Sequence, residues 1–234
     1  FIYLGTTVDD EAVTINGSRM PLDRLLDANT KKFTKIYPDR TQATGTVYEA
    51  TPEKKVFTYK GDAVKNPVVY LPSFPGTNCD YDTAKAFERA GGEIITSVFR
   101  NLTSEDVLGS IEEMAALVRK SHILVLSGGF SLGDEPDGSA KFIVNVLNAP
   151  KVAEAIHGLL DRGGLIIGIC NGFQALVKSG LLPYGRLGKV TKSSPTLFRN
   201  DINRHISQMV RTRVGTVNSP WLSGFTVGEE HVIA

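Results

Sequence analysis

The chain has 234 residues, 41% of them hydrophobic, with 26 Lys and Arg against 25 Asp and Glu. That is enough apolar material for a sizeable core, and the balanced charge excludes the basic footprint of a nucleic-acid binder. Two cysteines, Cys79 and Cys170, are too few for a disulfide scaffold, and no apolar run approaches the ~18 residues of a membrane span. A cytoplasmic chain is expected, without a nucleic-acid or membrane partner. It starts at Phe1 without Met and stops at Ala234 inside an apolar run, so a piece of a longer polypeptide is also expected.

Residues 1–65 differ in character from the rest of the chain. Phe1-Ile2-Tyr3-Leu4-Gly5 is strand-like, Asn16-Gly17 is a turn signal, and Pro21 opens a short amphipathic helix with Leu22, Leu25 and Leu26. A polar stretch runs from Asn29 to Lys65, with Pro38, Pro52 and Gly61 as breakers. The segment reads as the tail of a preceding domain plus a linker; an N-terminal decoration of a single domain stays open.

From Pro67 strands and helices alternate, the pattern of a mostly parallel, open α/β sheet with helices on both faces. Val68–Pro72, Glu93–Phe99, His122–Leu126 and Leu165–Ile169 read as strands. Between them lie helices from Asp82 to Ala90, from a Ser104 cap through Val107, Ile111, Met114, Ala115 and Val118, and from Ala140 to Arg162 with a break near Pro150. The division expected is 1–65 as one part and 66–234 as the α/β domain.

The stretch with chemistry is Gly168-Ile169-Cys170-Asn171-Gly172, a nucleophile placed between two glycines where a strand turns into a helix. Side chains larger than hydrogen at the flanking positions would collide with neighbouring strands in so sharp a turn. Such an elbow exposes Sγ at the carboxyl end of the sheet, where open α/β sheets bind ligands, beside the free N–H groups of a helix start. A buried cysteine in a tight turn is the plainer reading. The third strand ends in Ser127-Gly128-Gly129-Phe130-Ser131-Leu132-Gly133-Asp134-Glu135-Pro136-Asp137-Gly138. There the N–H of Gly129 can pair with that of Asn171 as an oxyanion hole. The loop lacks the Gly-Lys-Ser/Thr ending of a phosphate cradle, and Asp134, Glu135 and Asp137 read as turn residues before they read as metal ligands. No metal site is expected.

These two motifs, together with Phe74-Pro75-Gly76-Thr77-Asn78-Cys79-Asp80 and with Phe173-Gln174 after the elbow, resemble class I (triad) glutamine amidotransferases. More narrowly, they are similar to the C-terminal glutaminase domains of the phosphoribosylformylglycinamidine synthase family, from about Pro67 to Ala234. The resemblance implies a flavodoxin-like fold and hydrolysis of L-glutamine at its side-chain amide, with Cys170 as nucleophile. The ammonia would pass to a synthetase domain of the same chain or complex, which uses ATP and Mg²⁺ to make an amidine in purine biosynthesis. No cofactor is implied for the glutaminase part. The resemblance also implies that Gln174 and Phe130 shape the glutamine pocket and that Asn200 and Arg204 match an Asn-x-x-x-Arg segment of the family, with His205 a packing neighbour.

One family element is missing from the sequence. The family pattern has a His-x-Glu in which His takes the thiol proton and Glu supports it; none of His122, His157, His205 or His231 begins one. His122 and His157 read as structural. His231, preceded by Glu229 and Glu230, comes a few residues early, so the catalytic His and Glu are expected beyond Ala234 and the fragment is expected to be close to inactive alone. Cys79 is read as non-catalytic on the same sheet edge as Cys170, and Trp221 beside Pro220 as a packing anchor. Arg199, Arg204, Arg211 and Arg213 read as a solvated strand pair or a docking surface. Two other functions stay open: a DJ-1/PfpI-like cysteine hydrolase, which should carry a histidine where Asn171 stands, and a docking domain that keeps the fold without the chemistry.

Overall fold

The computed structural model describes residues 1–38, 53–56, 64–134, 140–202 and 204–234, with residues 53–56 as backbone. The chain divides into two compact units, residues 58–199 and residues 1–57 with 200–234. The latter groups the last 35 residues with the N-terminal segment, whereas the sequence pattern divides the chain between 65 and 66. Among the described residues no helix is long and apolar enough to cross a membrane.

In chain order, the N-terminal segment holds β1 (Ala12–Ile15), β2 (Ser18–Pro21), α1 (Leu22–Thr30) and β3 (Glu53–Val56). The α/β unit contains β4 (Val68–Ser73), α2 (Asp80–Arg89), β5 (Glu93–Val98), α3 (Ser104–Lys120), β6 (Ile123–Leu126), α4 (Lys141–Leu147), α5 (Pro150–Asp161), β7 (Leu165–Gly168), α6 (Asn171–Ser179) and α7 (Leu181–Tyr184). The last stretch adds β8 (Val210–Arg213), β9 (Thr216–Val217) and β10 (Glu230–Ile233).

In the smaller unit β1 and β2 form a hairpin whose turn residues Asn16 and Gly17 have φ of 49° and 82°. Both values are positive, which Asn and Gly tolerate best and which matches the twist of the paired strands. The strand expected at Phe1–Gly5 is not formed; these residues have no regular structure, and Phe1, Ile2, Tyr3 and Leu4 are exposed. Apolar β-formers make a strand only where a partner supplies the ladder. Strand β3 pairs in parallel with β9, and β8 pairs antiparallel with β10. The expected breakers Pro52 and Gly61 lie outside the described residues.

The α/β unit is built on a four-stranded parallel sheet in the order β5-β4-β6-β7. Helix α2 packs on β4 and β5, and α3 packs on the same strands and against α5; the right-handed crossovers that parallel units adopt place α2 on the face opposite α3 and α5 in that strand order. This is the open parallel arrangement the alternating pattern predicts, and the flavodoxin-like one the family resemblance implies. The central strands β4 and β6 are apolar because both faces are covered: Val69, Tyr70, Leu71, Leu124 and Val125 are fully buried. Helix α3 starts at a Thr103 cap rather than the expected Ser104. Thr103 Oγ1 accepts from the Asp106 N–H at 3.1 Å, and the Asp106 carboxylate accepts from the Thr103 N–H at 3.2 Å, a reciprocal box that Ser104 cannot make. The helical region after Ala140 is broken before Pro150, as expected.

Candidate active site

Because β4 connects outward to β5 while β6 lies on its other side, the loops leaving β4 and β6 diverge at the carboxyl edge of the sheet. That crevice is the place where such sheets bind ligands. The structure brings the three motifs together there. The β4 loop and the β6 loop form an antiparallel bridge, Thr77 to Gly129, in which Phe130 N–H donates to Gly76 O at 2.9 Å and Leu132 N–H donates to Pro75 O at 3.0 Å. A Cβ on Gly129 would lie 2.5 Å from Gly76 O and 2.9 Å from Asn78 N, so only glycine permits this approach. Beneath the bridge, Phe74 packs on Phe99 and Phe142 with ring centroids 5.9 and 6.4 Å apart, which anchors the root of the β4 loop in the core.

The elbow closes the other side. Cys170 occupies the cap position of α6 with φ 52° and ψ −107°, a positive-φ conformation that a non-glycine residue holds only when its surroundings impose it. The imposing contacts are backbone. A Cβ on Gly172 would run into the Leu126 carbonyl oxygen, and one on Gly168 would lie 2.6 Å from the Gly172 carbonyl carbon. The elbow therefore rests against the ends of β6 and β7, and Ile169 N–H donates to Leu126 O at 3.0 Å. Cys170 is exposed, so the buried-cysteine alternative is excluded.

Gly128 links the two cysteines. A Cβ there would be 3.4 Å from Cys79 Sγ and 3.5 Å from Cys170 Cβ, so Cys79 shares the edge with Cys170, while its own Sγ donates to Asn78 Oδ1 at 3.1 Å. Among the described residues neither the Gly129 N–H nor the Asn171 N–H donates to a protein acceptor. Both amides remain available beside the thiol.

The feature that sequence reasoning missed is polar. Asn171 is 2% exposed, and its Nδ2 donates to Asp134 Oδ2 and to Gln174 Oε1, each at 2.9 Å, while its Oδ1 accepts from Ser131 N–H at 3.3 Å. Asp134 Oδ1 in turn accepts from Ser131 Oγ at 3.0 Å and from the Ala140 N–H at 2.8 Å. Asp134 is thus a hydrogen-bond hub and not a free carboxylate, while Glu135 and Asp137 lie outside the described residues. Among the described residues no group of three or more His, Cys, Asp or Glu could hold a metal ion. Gln174 stands one turn along α6 from the thiol with its amide oxygen held by Asn171, and Phe130 is exposed at the rim.

In the smaller unit Asn200 Nδ2 donates to Arg204 O at 3.0 Å. His205 is exposed, not a packing position. His122 Nδ1 accepts from Val68 N–H at 3.0 Å and His157 Nε2 from Leu187 N–H at 3.2 Å, so each commits one ring nitrogen to backbone, the structural role expected of them. His231 Nε2 lies 3.1 Å from Glu229 Oε1, and its ring is edge-on to Phe225.

A thiol on a strained elbow and two free amides meet at this glycine-built edge of the sheet, and residues 66–234 match the CobB/CobQ-like glutamine amidotransferase domain family. The chain belongs to that family. It is 34% identical over 157 residues to the phosphoribosylformylglycinamidine synthase subunit PurQ of Cereibacter sphaeroides, a match covering 67% of this chain and 58% of that one. The corresponding subunit of Dehalococcoides mccartyi is 42% identical over 112 residues, covering 47% of this chain and 38% of that one. A chain in the structure of PurLQS from Thermotoga maritima superimposes with a TM-score of 0.51 at 27% identity, over 72% of this chain and 65% of that chain. In each case the match spans less than two thirds of the relative's own length.

Proposed function

We propose that this chain is the glutaminase part of a phosphoribosylformylglycinamidine synthase, with residues 66–234 forming the glutaminase domain and residues 1–65 the tail of a synthetase domain and its linker. The observation that carries the reading is the elbow: Cys170 exposed in a forced positive-φ conformation beside two unpaired backbone amides. Cys170 Sγ attacks the side-chain amide carbon of L-glutamine. The oxygen of the tetrahedral intermediate is held by the N–H groups of Gly129 and Asn171, ammonia leaves, and water releases glutamate from the γ-glutamyl thioester. Phe130 and Gln174 bound the glutamine pocket; a role for Asn200 and Arg204 in substrate binding rests on the family's Asn-x-x-x-Arg segment alone.

The proton acceptor is a His-x-Glu pair outside these 234 residues. In support, the sequence contains no His-x-Glu, and His122 and His157 have ring nitrogens engaged with backbone. The ammonia is consumed by the synthetase component, which brings ATP and Mg²⁺ to the amidination. The two unpaired, exposed cysteines fit a cytoplasmic setting.

The test is glutamine hydrolysis and labelling by a glutamine-mimicking diazoketone. In the intact protein with its synthetase component, Cys170→Ala is expected to lower glutaminase turnover on the order of 10⁴-fold, and the label is expected on Cys170 and not on Cys79. Residues 1–234 alone are expected to turn over ~100- to 10,000-fold more slowly than the intact protein, the usual worth of general-base assistance. Undiminished turnover by Cys170→Ala would dismiss the nucleophile.

A further inference from the structure

We propose that Asp134 is a positioning residue that, through the Asn171 side chain, sets the separation and aim of the two oxyanion donors. The inference rests on the glutaminase reading of Cys170. The two donors belong to different elements, Gly129 to the loop after β6 and Asn171 to the first turn of α6. Backbone bonds place each element by itself, the Thr77–Gly129 bridge for the loop and Ile169 N–H to Leu126 O for the elbow, but among the described residues no backbone hydrogen bond joins the two donor residues directly. What spans the gap is side-chain chemistry. Asp134 lies in the β6 loop, and its Oδ2 accepts from Asn171 Nδ2 at 2.9 Å. Asn171 returns the contact by accepting the Ser131 N–H at 3.3 Å, so the loop and the helix start are joined twice by one buried amide.

The direction of each bond is dictated by the carboxylate. An ionised Asp134 only accepts, so the group facing it must be the Asn171 amide nitrogen, and the Asn171 oxygen must then face the Ser131 N–H. The second Nδ2 hydrogen goes to Gln174 Oε1 at 2.9 Å, which orients Gln174 in the proposed glutamine pocket. Asp134 is itself braced, because its Oδ1 receives Ser131 Oγ at 3.0 Å and the Ala140 N–H at the start of α4 at 2.8 Å. Among the described residues its side chain has no hydrogen bond to Cys170. Its effect on the reaction is through Asn171.

Oxyanion donors act most strongly on charge that develops in the transition state, and a displacement of about 1 Å is enough to lose much of their effect. Asp134→Asn turns an amide N–H₂ towards either Asn171 Nδ2 or the Ser131 and Ala140 donors, a donor facing a donor. The paired exchange Asp134→Asn with Asn171→Asp restores the pairing with the donor and acceptor roles swapped. The amide then at position 134 keeps its oxygen for Ser131 and Ala140 and donates from its nitrogen to the carboxylate then at position 171. That carboxylate still accepts the Ser131 N–H, and Gln174 meets it by turning its own amide nitrogen inward.

The experiment uses the intact protein with its synthetase component and reads three quantities: kcat and KM for glutamine, and the Ki of glutamate γ-semialdehyde. With this aldehyde the thiol S–H of Cys170 adds across the C=O to give a thiohemiacetal whose oxygen lies in the same hole. Asp134→Asn is expected to lower kcat about 10- to 100-fold with KM changed no more than about twofold, and to raise the aldehyde Ki by the same factor as the loss in kcat. The paired exchange is expected to recover at least about tenfold of kcat. Retention of kcat within about twofold by Asp134→Asn in an active protein overturns the positioning role alone. So does a parallel loss of kcat, glutamine affinity and melting temperature that the paired exchange leaves uncorrected, which marks a merely structural residue. Absence of Cys170-dependent glutaminase in the unmutated protein overturns the proposed function and the positioning role with it.

Discussion

The two units of this chain differ in where their apolar residues go. In residues 58–199 the sheet and its helices bury Tyr70, Leu71, Met114, Leu124, Leu126, Ile143, Leu147, Ile156 and Leu159 to less than 2% exposure. In the other unit, among the described residues, Ala12 and Ile202 are the only buried hydrophobic side chains, while Phe1, Leu4, Ile15, Leu26, Phe33 and Ile36 are each more than half exposed. The first unit therefore carries its own hydrophobic stabilisation. The second is held by the Asn16-Gly17 hairpin, with an exposed Asp10–Arg19 ion pair at 2.7 Å beside it, and by two short strand pairings. An elbow that stores backbone strain has to sit on the former kind of scaffold, because strain persists only where surrounding packing over-determines it.

The strongest way to break the comparison is to make one substitution in both units. Leu124→Ala empties a fully buried position of the central strand β6 and is expected to cost about 2–5 kcal/mol; Leu26→Ala, at a residue 61% exposed, is expected to cost less than about 0.5 kcal/mol. Denaturant unfolding followed by far-UV circular dichroism measures the first. The single tryptophan, Trp221, lies in the smaller unit, so its fluorescence follows that unit. Equal losses at the two leucines would show that the smaller unit carries a core of its own.

Glycine substitutions sharpen the contrast at the site. Gly172→Ala drives a Cβ against the Leu126 carbonyl oxygen, and because the obstacle is strand backbone it cannot yield; about 1–3 kcal/mol of stability should be lost together with the proposed glutaminase activity. Gly224→Ala in the other unit meets nothing within 4 Å and is expected to change stability by less than about 0.5 kcal/mol. An active, fully stable Gly172→Ala protein would mean that the elbow does not rest on β6.

The four sheet strands were legible in the sequence because they are short apolar runs bounded by Gly, Pro and polar residues, the pattern left by a parallel sheet covered on both faces. The elbow was legible because its glycines are demanded by backbone contacts. The Asp134 to Asn171 connection was not, since a hydrogen bond between residues 37 apart imposes no period and no composition bias; Asp134 read only as one of several turn acids. The strand expected at Phe1–Gly5 failed because β propensity says nothing about whether a pairing partner exists. The grouping of residues 200–234 with the N-terminal segment rests partly on the parallel pairing of Glu53 with Thr216, a contact too distant in sequence to leave a local signal.

Tyr70 gives a pH test of the larger unit. Its side chain is fully buried, its hydroxyl shares a 2.6 Å hydrogen bond with Ser97, and burial pushes its pKa up to about 12, above the ordinary value near 10. Between those two values the unfolded chain releases the phenolic proton and the folded one keeps it, so the folded state binds more protons and stability falls as pH rises. The loss by pH 12 should be ~2 kcal/mol, and Tyr70→Phe should remove that part of the slope. An identical slope in wild type and Tyr70→Phe would count against the buried hydroxyl as its source.

The smallest effect isolates one helix end within the core-bearing unit. Thr103 and Asp106 satisfy two otherwise unpaired N–H groups at the start of α3, and Asp106 also places negative charge at the positive end of the helix dipole. Thr103→Ala should cost about 1 kcal/mol, whereas Thr103→Ser, which keeps the accepting oxygen, should cost a few tenths. Ser104→Ala, at the neighbouring residue that sequence inspection favours as the cap, should be close to neutral. A reversal of that order, with Ser104→Ala the costlier change, would move the cap back to Ser104 and shift the start of α3 by one residue.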